Sequence, residues 1–262
     1  MEIAFLKSIG KKILREIGTL RPQFNDDSLG TGAGGDTTFP IDKVAEDIII
    51  ENLEKEGLDC NIIAEERGVK INDNSHLTII IDPIDGSKNA VSGIPFFSTS
   101  IAVADGKYLD SLSMGYIINL INGDEFYAER GKGAFFNGKK IKQKRDKKTI
   151  IVAFEASNPY GAIKRILPLL RIANRVRCYG STALDLAYLS MGAISIFVTP
   201  TPSRIFDFSA GILIAKEANA CLSDMEGKSI YQLPVMFNTK TNLLVCENEI
   251  LYKSALEILK KS

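Results

Sequence analysis

The chain has 262 residues, of which 45% are hydrophobic and 24% charged, so it can bury a large core in one domain or two. Its 32 basic and 32 acidic residues give no basic excess, which argues against extended nucleic-acid binding. No apolar stretch approaches the ~20 residues that span a bilayer, so we expect a cytoplasmic protein without a membrane partner.

Apolar residues recur every three or four positions over residues 3–20 and again over 41–53, which predicts two amphipathic helices. Three glycines in the intervening loop, 21–39, formally fit a Gly-x-Gly-x-x-Gly pattern. Because no apolar strand precedes them, we do not predict a nucleotide-binding fingerprint. We interpret the loop as a mobile lid that brings Asp36 and Asp42 toward the site.

Strand patterns follow, with tight-turn residues at Asn122-Gly123, and they indicate a mostly antiparallel sheet. The predicted strands are 62–64, 77–81, 97–104, 114–121 and 125–129. From residue 149 onward, strands (149–154, 176–179, 193–199, 242–246) alternate with helices (163–172, 182–191, 208–219, 250–259). The change of pattern predicts an N-terminal α+β domain, 1–147, and a C-terminal α/β domain, 148–262, with the boundary near 146–148.

Cysteines and histidine limit the possible chemistry. His76 is the single histidine, which makes a multi-histidine zinc site or a Ser-His-Asp triad hard to build, and its polar surroundings predict a surface loop. The cysteines have no paired spacing and are predicted to be buried free thiols in a reducing compartment: Cys60, Cys178, Cys221 and Cys246. Catalysis is therefore expected from carboxylates, hydroxyls and metal.

The most informative segment, 81–89, reads Ile-Asp-Pro-Ile-Asp-Gly-Ser-Lys-Asn and follows a buried strand. Pro83 fixes its own φ and Gly86 permits unusual backbone angles, so the chain can bend and direct Asp82 and Asp85 at one point. A hard cation such as Mg²⁺ relieves the repulsion between two such carboxylates and can bridge to phosphate oxygens. An ordinary Asp-Pro and Asp-Gly turn is the alternative interpretation.

One other strand end and the start of one helix also carry acids. Glu65 and Glu66 end the 62–64 strand, and Asp207 lies between two phenylalanines just before a long apolar helix. Asp207 also fits a helix N-cap, and both roles can hold together.

These motifs resemble those of the inositol monophosphatase superfamily. Residues 82–87, Asp-Pro-Ile-Asp-Gly-Ser, are similar to its Asp-Pro-Ile/Leu-Asp-Gly-Thr/Ser signature, and Asp207 with Ala210-Gly211 is similar to Trp-Asp-x-x-Ala-Gly, with Phe206 replacing tryptophan. Residues 36–46 resemble the segment Asp-x-x-Thr-x-x-Asp-x-x-x-Glu, although Thr38 falls one place early. Residues 64–66 resemble Gly-Glu-Glu, and 180–183 resemble the Gly-Ser/Thr-Ala-Ala turn.

The resemblance covers about the whole chain and is nearest to the archaeal dual fructose-1,6-bisphosphatase/inositol-1-monophosphatase. It implies a layered α-β-α-β-α sandwich of the sugar phosphatase type, combining α+β and α/β parts, with the active site between the halves. It also implies a homodimer that hydrolyses inositol 1-phosphate, fructose 1,6-bisphosphate or both with a metal-activated water.

The resemblance further implies two Mg²⁺ ions and a weaker third, with Mn²⁺ as an alternative ion. The first ion would be bound by Glu65, Asp82 and the Ile84 carbonyl, and the second by Asp82, Asp85 and Asp207. Asp42 and Ser87, together with Glu65, are implied as catalytic residues that orient or deprotonate the water. The implied substrate-binding residues are Asp85, Gly86, Ser87, Arg177, Thr182, Arg204 and Asp207.

Alternatives remain at this point. Lys88 is reminiscent of phosphatases that act on 3'-phosphoadenosine phosphates, so a 3'(2'),5'-bisphosphate nucleotidase or NADP phosphatase is the second hypothesis. That hypothesis predicts an aromatic or arginine platform for adenine. A non-catalytic metal- or phosphate-binding protein is the third hypothesis, which is disfavoured because the full acidic set is present.

Two residues leave the substrate contacts open. For Arg177, the alternative to a substrate contact is an ion pair at the surface. Pro200 stands where relatives often place a polar substrate contact.

Overall fold

The computed structural model describes residues 1–20, 27–142, 149–155 and 159–261. Seven α-helices lie in this part of the chain. They are α1 (Ile3–Leu20), α2 (Pro40–Lys55), α3 (Ser87–Val91), α4 (Pro159–Leu170), α5 (Thr182–Ser190), α6 (Ile205–Glu217) and α7 (Glu249–Lys260).

The described residues form three sheets. A hairpin contains β1 (Gly30–Thr31) and β2 (Thr37–Thr38). The large sheet has the order β10-β9-β8-β7-β6-β5-β3-β4 and contains β3 (Asn61–Ala64), β4 (Gly68–Lys70), β5 (Leu77–Asp85), β6 (Ser98–Asp105), β7 (Leu112–Asn119), β8 (Glu125–Glu129), β9 (Gly133–Phe136) and β10 (Lys139–Lys140). The smaller sheet has the order β12-β11-β13-β15-β14 and contains β11 (Ile151–Phe154), β12 (Arg175–Arg177), β13 (Ile196–Arg204), β14 (Cys221–Ser223) and β15 (Lys240–Cys246).

The elements stack in five layers, which confirms the predicted α-β-α-β-α sandwich. Helices α1 and α2 cover one face of the large sheet, α5 and α6 lie between the two sheets, and α4 and α7 cover the outer face of the smaller sheet. Helix α6 is buried from Ile205 to Ala215, around its whole circumference. A helix that is apolar on all sides is stable only in such a middle layer.

Two close approaches hold the middle layer in place. A Cβ added at Gly115 of β7 would lie 2.8 Å from the Ala210 carbonyl oxygen of α6, and one added at Gly211 would lie 2.6 Å from Leu186 of α5. Glycine therefore permits backbone contact between α6 and the large sheet, and this contact fixes the position of the α6 N-terminus.

Strand β13 and helix α6 are among the elements that extend beyond their predicted limits. Strand β13 runs to Arg204 rather than Thr199, because Pro200 and Pro202 fall in a register irregularity where no ladder hydrogen bond is needed. Helix α6 begins at Ile205 rather than at residue 208. The Arg204 amide donates to Asp207 Oδ2 at 2.8 Å, so Asp207 is the third residue of the helix and not its N-cap.

The core between the sheets contains side chains from both halves of the chain, among them Phe126 of β8 and Phe197 of β13. The predicted domain boundary at 146–148 lies outside the described residues, so the division into 1–147 and 148–262 stays a prediction. Residues 21–26 of the predicted lid also lie outside. Its remainder contains the β1–β2 hairpin, and the following helix starts at Pro40, not at the third glycine.

The predictions for cysteine and histidine have mixed outcomes. All four cysteines are free, and Cys60 and Cys246 are buried as predicted. The prediction of burial is wrong for Cys178, which is exposed just after the edge strand β12, and for Cys221, which is half-buried. His76 is exposed as predicted, with Nε2 lying 3.0 Å from Asp105. In the described ranges, no helix combines the length and apolarity needed to cross a membrane.

Candidate functional site

A cavity of about 630 Å³ lies where β5, β13 and the N-termini of α3, α5 and α6 converge. Its walls carry most of the residues that the sequence singled out. The lining consists of residues 34–37, Glu65, Asp82, 84–89, Glu155, Gly180, Thr182, 201–204, Asp207 and Lys240.

The bend at the end of β5 positions the two signature acids. Asp82 pairs in register with Ser100 and Asp85 with Ser98, so β5 carries an irregularity between the acids. Gly86 then adopts φ of 95°, and a Cβ there would lie 2.9 Å from the Gly180 carbonyl oxygen. The segment predicted to bend therefore does so, and both carboxylates face the cavity.

Asp85 also connects the two halves of the chain. Its Oδ2 accepts hydrogen bonds from the Ser181 hydroxyl and from the Ala183 amide at 2.7 Å, at the start of α5. Burial raises the pKa of Asp85 to about 7, with Asp207 adding to the rise and the hydrogen bonds opposing it. The Gly180–Ala183 turn thus holds the signature acid of β5.

Asp82 is the acid of the cavity whose hydrogen-bonding capacity is used least. Its side chain is buried and Oδ1 has no hydrogen-bond partner among the described residues. Burial raises the pKa of Asp82 well above its usual value, and the charges of Glu65, Asp85 and Asp207 raise it further. An orphaned carboxylate oxygen of this kind suits a hard divalent cation, so the donor set fits a metal centre.

Arg204 lies between two other acids of the site. Its Nη2 is 2.8 Å from Glu65 Oε1 and 3.0 Å from Asp207 Oδ1, while Nη1 is 2.8 Å from Asp36 Oδ2. Burial would lower the pKa of Arg204, but the charges of Asp207 and Glu65 outweigh it and raise the pKa. Burial raises the pKa of Glu65 and of Asp207, and Arg204 opposes that rise in both.

As the side chains stand, no three His, Cys, Asp or Glu residues of the described chain are close enough together to hold a metal ion. The acids nevertheless face one cavity, and a guanidinium nitrogen separates the Glu65 and Asp207 oxygens. The predicted ligands are therefore brought together as a group but not closed into a coordination sphere.

Asp42 and Ser87 meet beside the cavity. Asp42 is the third residue of α2, and its Oδ2 accepts from the Phe39 amide at 2.6 Å. Burial raises the pKa of Asp42 to about 7, and the Phe39 amide and the nearby Ser87 hydroxyl oppose the rise. The Ser87 hydroxyl donates its proton to the Ile84 carbonyl at 3.1 Å.

Of the predicted substrate-binding residues, Arg177 alone does not line the cavity. Its Nε donates to the Tyr179 hydroxyl at 3.1 Å, and Nη1 donates to the Val176 carbonyl at 2.9 Å. The cavity also contains residues that the sequence analysis did not select: Glu155, Thr201, Ser203 and Lys240. No motif marks them, because strand order alone brings them to this wall.

The sequence analysis also missed Asp185, a buried acid of α5 that, like Asp82, has unpaired oxygen in the described part of the chain. It lies in α5, fully buried, and neither carboxylate oxygen has a hydrogen-bond partner in the described part of the chain. Burial raises its pKa well above the usual value, and Glu155 and Asp85 add to the rise. A carboxylate inside the apolar stretch Leu184–Leu189 was the available signal.

Known proteins share this fold and about a third of this sequence. A Thermococcus kodakarensis fructose-1,6-bisphosphatase/inositol-1-monophosphatase is 32% identical over 257 residues, covering 97% of this chain and 94% of that protein. A Methanococcus maripaludis bifunctional NADP phosphatase/NAD kinase is 30% identical and covers 98% of this chain, which spans 48% of that protein. A crystal structure of an inositol monophosphatase-fructose 1,6 bisphosphatase has a TM-score of 0.85 at 30% identity, covering 98% and 100% of the two chains. The model of the inositol monophosphatase family matches residues 2–262. This chain belongs to the inositol monophosphatase family.

Proposed function

We propose that this chain is a Mg²⁺-dependent phosphatase that hydrolyses inositol 1-phosphate, fructose 1,6-bisphosphate or both. The observation that carries the proposal is the convergence of four buried carboxylates on one cavity: Glu65, Asp82, Asp85 and Asp207. Among the described residues, Asp82 Oδ1 has no hydrogen-bond partner. Membership of a phosphatase family supports the reaction type, and the names of relatives such as the Thermococcus enzyme support the substrates.

The carboxylates would hold two ions, with Mn²⁺ as an alternative to Mg²⁺ and a weaker third ion near Glu65. Glu65, Asp82 and the Ile84 carbonyl would bind the first ion, and Asp82, Asp85 and Asp207 the second. All of these donors are oxygens, which Mg²⁺ prefers. When bound, the ions neutralise charge on the phosphoryl oxygens and on the leaving alkoxide.

The chain itself would position the phosphate and move the proton. The hydroxyl of Ser87 and the carboxylate of Asp42 would orient the attacking water and accept its proton. A pKa of about 7 for Asp42 suits a general base that works near neutral pH. The amides of Gly86 and Ser87, at the start of α3, would donate to phosphate oxygens.

The sugar would lie toward the smaller sheet. Thr182 and Arg204 line that side of the cavity and would contact its hydroxyls or a second phosphate. Arg177 remains a predicted substrate contact. Its guanidinium donates hydrogen bonds to the neighbouring Tyr179 hydroxyl and Val176 carbonyl.

The nucleotide alternative keeps one supporting observation. Lys88 lines the cavity, and the Methanococcus relative is named as an NADP phosphatase. Against it, the described residues of the cavity wall include no aromatic side chain, and the arginine of that wall, Arg204, is already engaged by acids of the site. Phe96 and Tyr179 stack on each other and do not line the cavity, and the Asn89 side-chain amide donates to both of their backbone carbonyls. We therefore favour a sugar or inositol phosphate.

A cytoplasmic homodimer remains part of the proposal. Its support is an apolar stripe on α4, where Tyr160, Ile163 and Leu167 are exposed at a spacing of three and four residues. Aromatic and aliphatic side chains on one helix face favour association over exposure to water.

The test is a phosphate-release assay with inositol 1-phosphate, fructose 1,6-bisphosphate, 3'-phosphoadenosine 5'-phosphate and NADP, each with Mg²⁺ and with excess chelator. We expect strong Mg²⁺ dependence and faster turnover of the first two substrates. Equal turnover in chelator would refute the metal mechanism, and faster turnover of either nucleotide would favour the alternative.

A further inference from the structure

Arg204 makes an unusual set of contacts for a side chain in a cavity wall. One nitrogen, Nη2, lies between carboxylate oxygens of Glu65 and Asp207, and a second, Nη1, contacts Asp36. The third, Nε, donates to Asp207 at 3.2 Å, and the guanidinium carbon lies 4.7 Å from the ring centre of Phe206. All three nitrogens are thus engaged by acids of the site.

The other cations of the cavity wall do not share this role. Lys88 and Lys240 also line the cavity, yet within the described ranges neither forms an ion pair with an acid of the site. Arg204 therefore carries the compensating positive charge for Glu65 and Asp207, whose side chains are 8% and 12% exposed. Removal of one partner from such a buried cluster leaves the remaining charges uncompensated.

A divalent ion and the guanidinium compete for the same oxygens. Magnesium binds oxygen at about 2.0–2.1 Å, so an ion that binds Glu65 Oε1 or Asp207 Oδ1 on the side that Nη2 contacts would displace the guanidinium. In the described chain the acids face one cavity, and this guanidinium nitrogen lies between an oxygen of Glu65 and an oxygen of Asp207.

We propose that Arg204 is the internal counter-cation of the site, which a divalent metal ion displaces from Glu65 and Asp207. The proposal rests on the metal centre of the proposed function. Asp36 gives the displaced guanidinium a place to remain, because its carboxylate is 56% exposed at the cavity mouth and already contacts Nη1. Arg204 thereby stabilises the metal-free protein and lowers the affinity for the metal.

The test compares Arg204→Gln with Lys240→Gln in the full chain. Both variants remove one positive charge from the same wall, but Lys240 contacts neither Glu65 nor Asp207 in the described structure. Binding of Mg²⁺ and Mn²⁺ is measured by titration calorimetry, and thermal unfolding is measured in chelator and in saturating metal.

We expect Arg204→Gln to bind metal about tenfold more tightly than wild type, the lower end of what a charged hydrogen bond contributes. Lys240→Gln should change the affinity by about twofold or less. In chelator, Arg204→Gln should unfold at a lower temperature than wild type, and saturating metal should remove that difference. Folding of Arg204→Gln only in the presence of metal would be the extreme form of the same result.

Equal metal affinities for the two variants, or weaker binding by Arg204→Gln, would overturn the proposal. If Arg204→Gln does not fold with or without metal, Arg204→Lys replaces it. That variant keeps the charge but loses the planar fork, so its affinity should lie between wild type and tenfold tighter, and an affinity equal to wild type would overturn the proposal. Absence of phosphate release by wild type would refute the proposed function instead, so the two failures are distinguishable.

Discussion

At the scale of single residues, Asp82 is the acid of the cavity whose hydrogen bonding is least complete. It is buried, one of its oxygens has no hydrogen-bond partner among the described residues, and it faces three other acids. Leaving a buried acceptor unsatisfied costs about 1–3 kcal/mol, and more for a charged group. A native chain retains such a group where function requires it, which here is the proposed bridge between two ions.

We therefore predict that Asp82→Asn lowers turnover by several orders of magnitude, because it removes the bridging charge and almost no volume. The variant should remain folded, and in chelator it should resist urea at least as well as wild type, since one of four crowded acids is gone. Phosphate release and urea unfolding are the measurements.

Asp105→Asn is the matched control for this substitution, because Asp105 is exposed and paired only with His76 in the described structure. It should leave both turnover and stability unchanged. Retained turnover in Asp82→Asn would show that the ligand assignment is wrong.

At the scale of elements, the position of Asp207 depends on how closely α6 approaches β7. Asp207 lies in the first turn of α6, and the contact between Gly115 and the Ala210 backbone lies one turn further on. Any side chain at residue 115 has to push the helix from the sheet, because the opposing atoms belong to the backbone and cannot rotate away.

We predict that Gly115→Ala destabilises the protein by about 1–3 kcal/mol and lowers turnover, because α6 and its Asp207 are displaced together. Gly18→Ala in α1 is the control: no atom lies within 4 Å of its added Cβ. It should stabilise the protein by about 0.5–1 kcal/mol, as alanine does in an exposed helix. Urea unfolding measures both, and a Gly115→Ala variant as stable as wild type would contradict the close packing.

At the scale of the whole molecule, the middle layer of helices buries ionisable groups between the two sheets. Asp185 of α5 is the clearest example, since neither of its oxygens has a hydrogen-bond partner among the described residues and the acids Glu155 and Asp85 raise its pKa. The raised pKa means that the folded protein holds this proton at a pH where the unfolded chain has released it. Its contribution to stability is therefore complete below the unfolded value and is lost as pH rises toward the folded value.

We predict that Asp185→Asn, which cannot lose a proton, becomes more stable relative to wild type as pH rises. The difference in unfolding free energy should grow by up to about 1.4 kcal/mol per pH unit between about pH 5 and the folded pKa of Asp185. Urea unfolding in chelator at several pH values measures it. Acids that do not interact with Asp185 contribute equally to both proteins and cancel, so a difference independent of pH would contradict the raised pKa of Asp185.

The sequence by itself determined the type of most elements and the acids of the site. Helix periodicity, strand composition and the Asp-Pro-Ile-Asp-Gly-Ser bend are local signals, so α2, β5 and the pair Asp82 and Asp85 were all readable from neighbours in the chain. A strand end and the start of a helix marked Glu65 and Asp207, and the family resemblance implied their role as metal ligands and the five-layer order.

Only the tertiary structure decided which charges meet. The insertion of α5 and α6 between the two sheets brings Arg204 to Glu65 and buries Asp185. The edge position of β12 leaves Cys178 exposed. These residues are far apart in sequence, and no local pattern encodes their distance. Electrostatic interactions depend on separation and burial, so the chemistry of the site is fixed by packing rather than by composition.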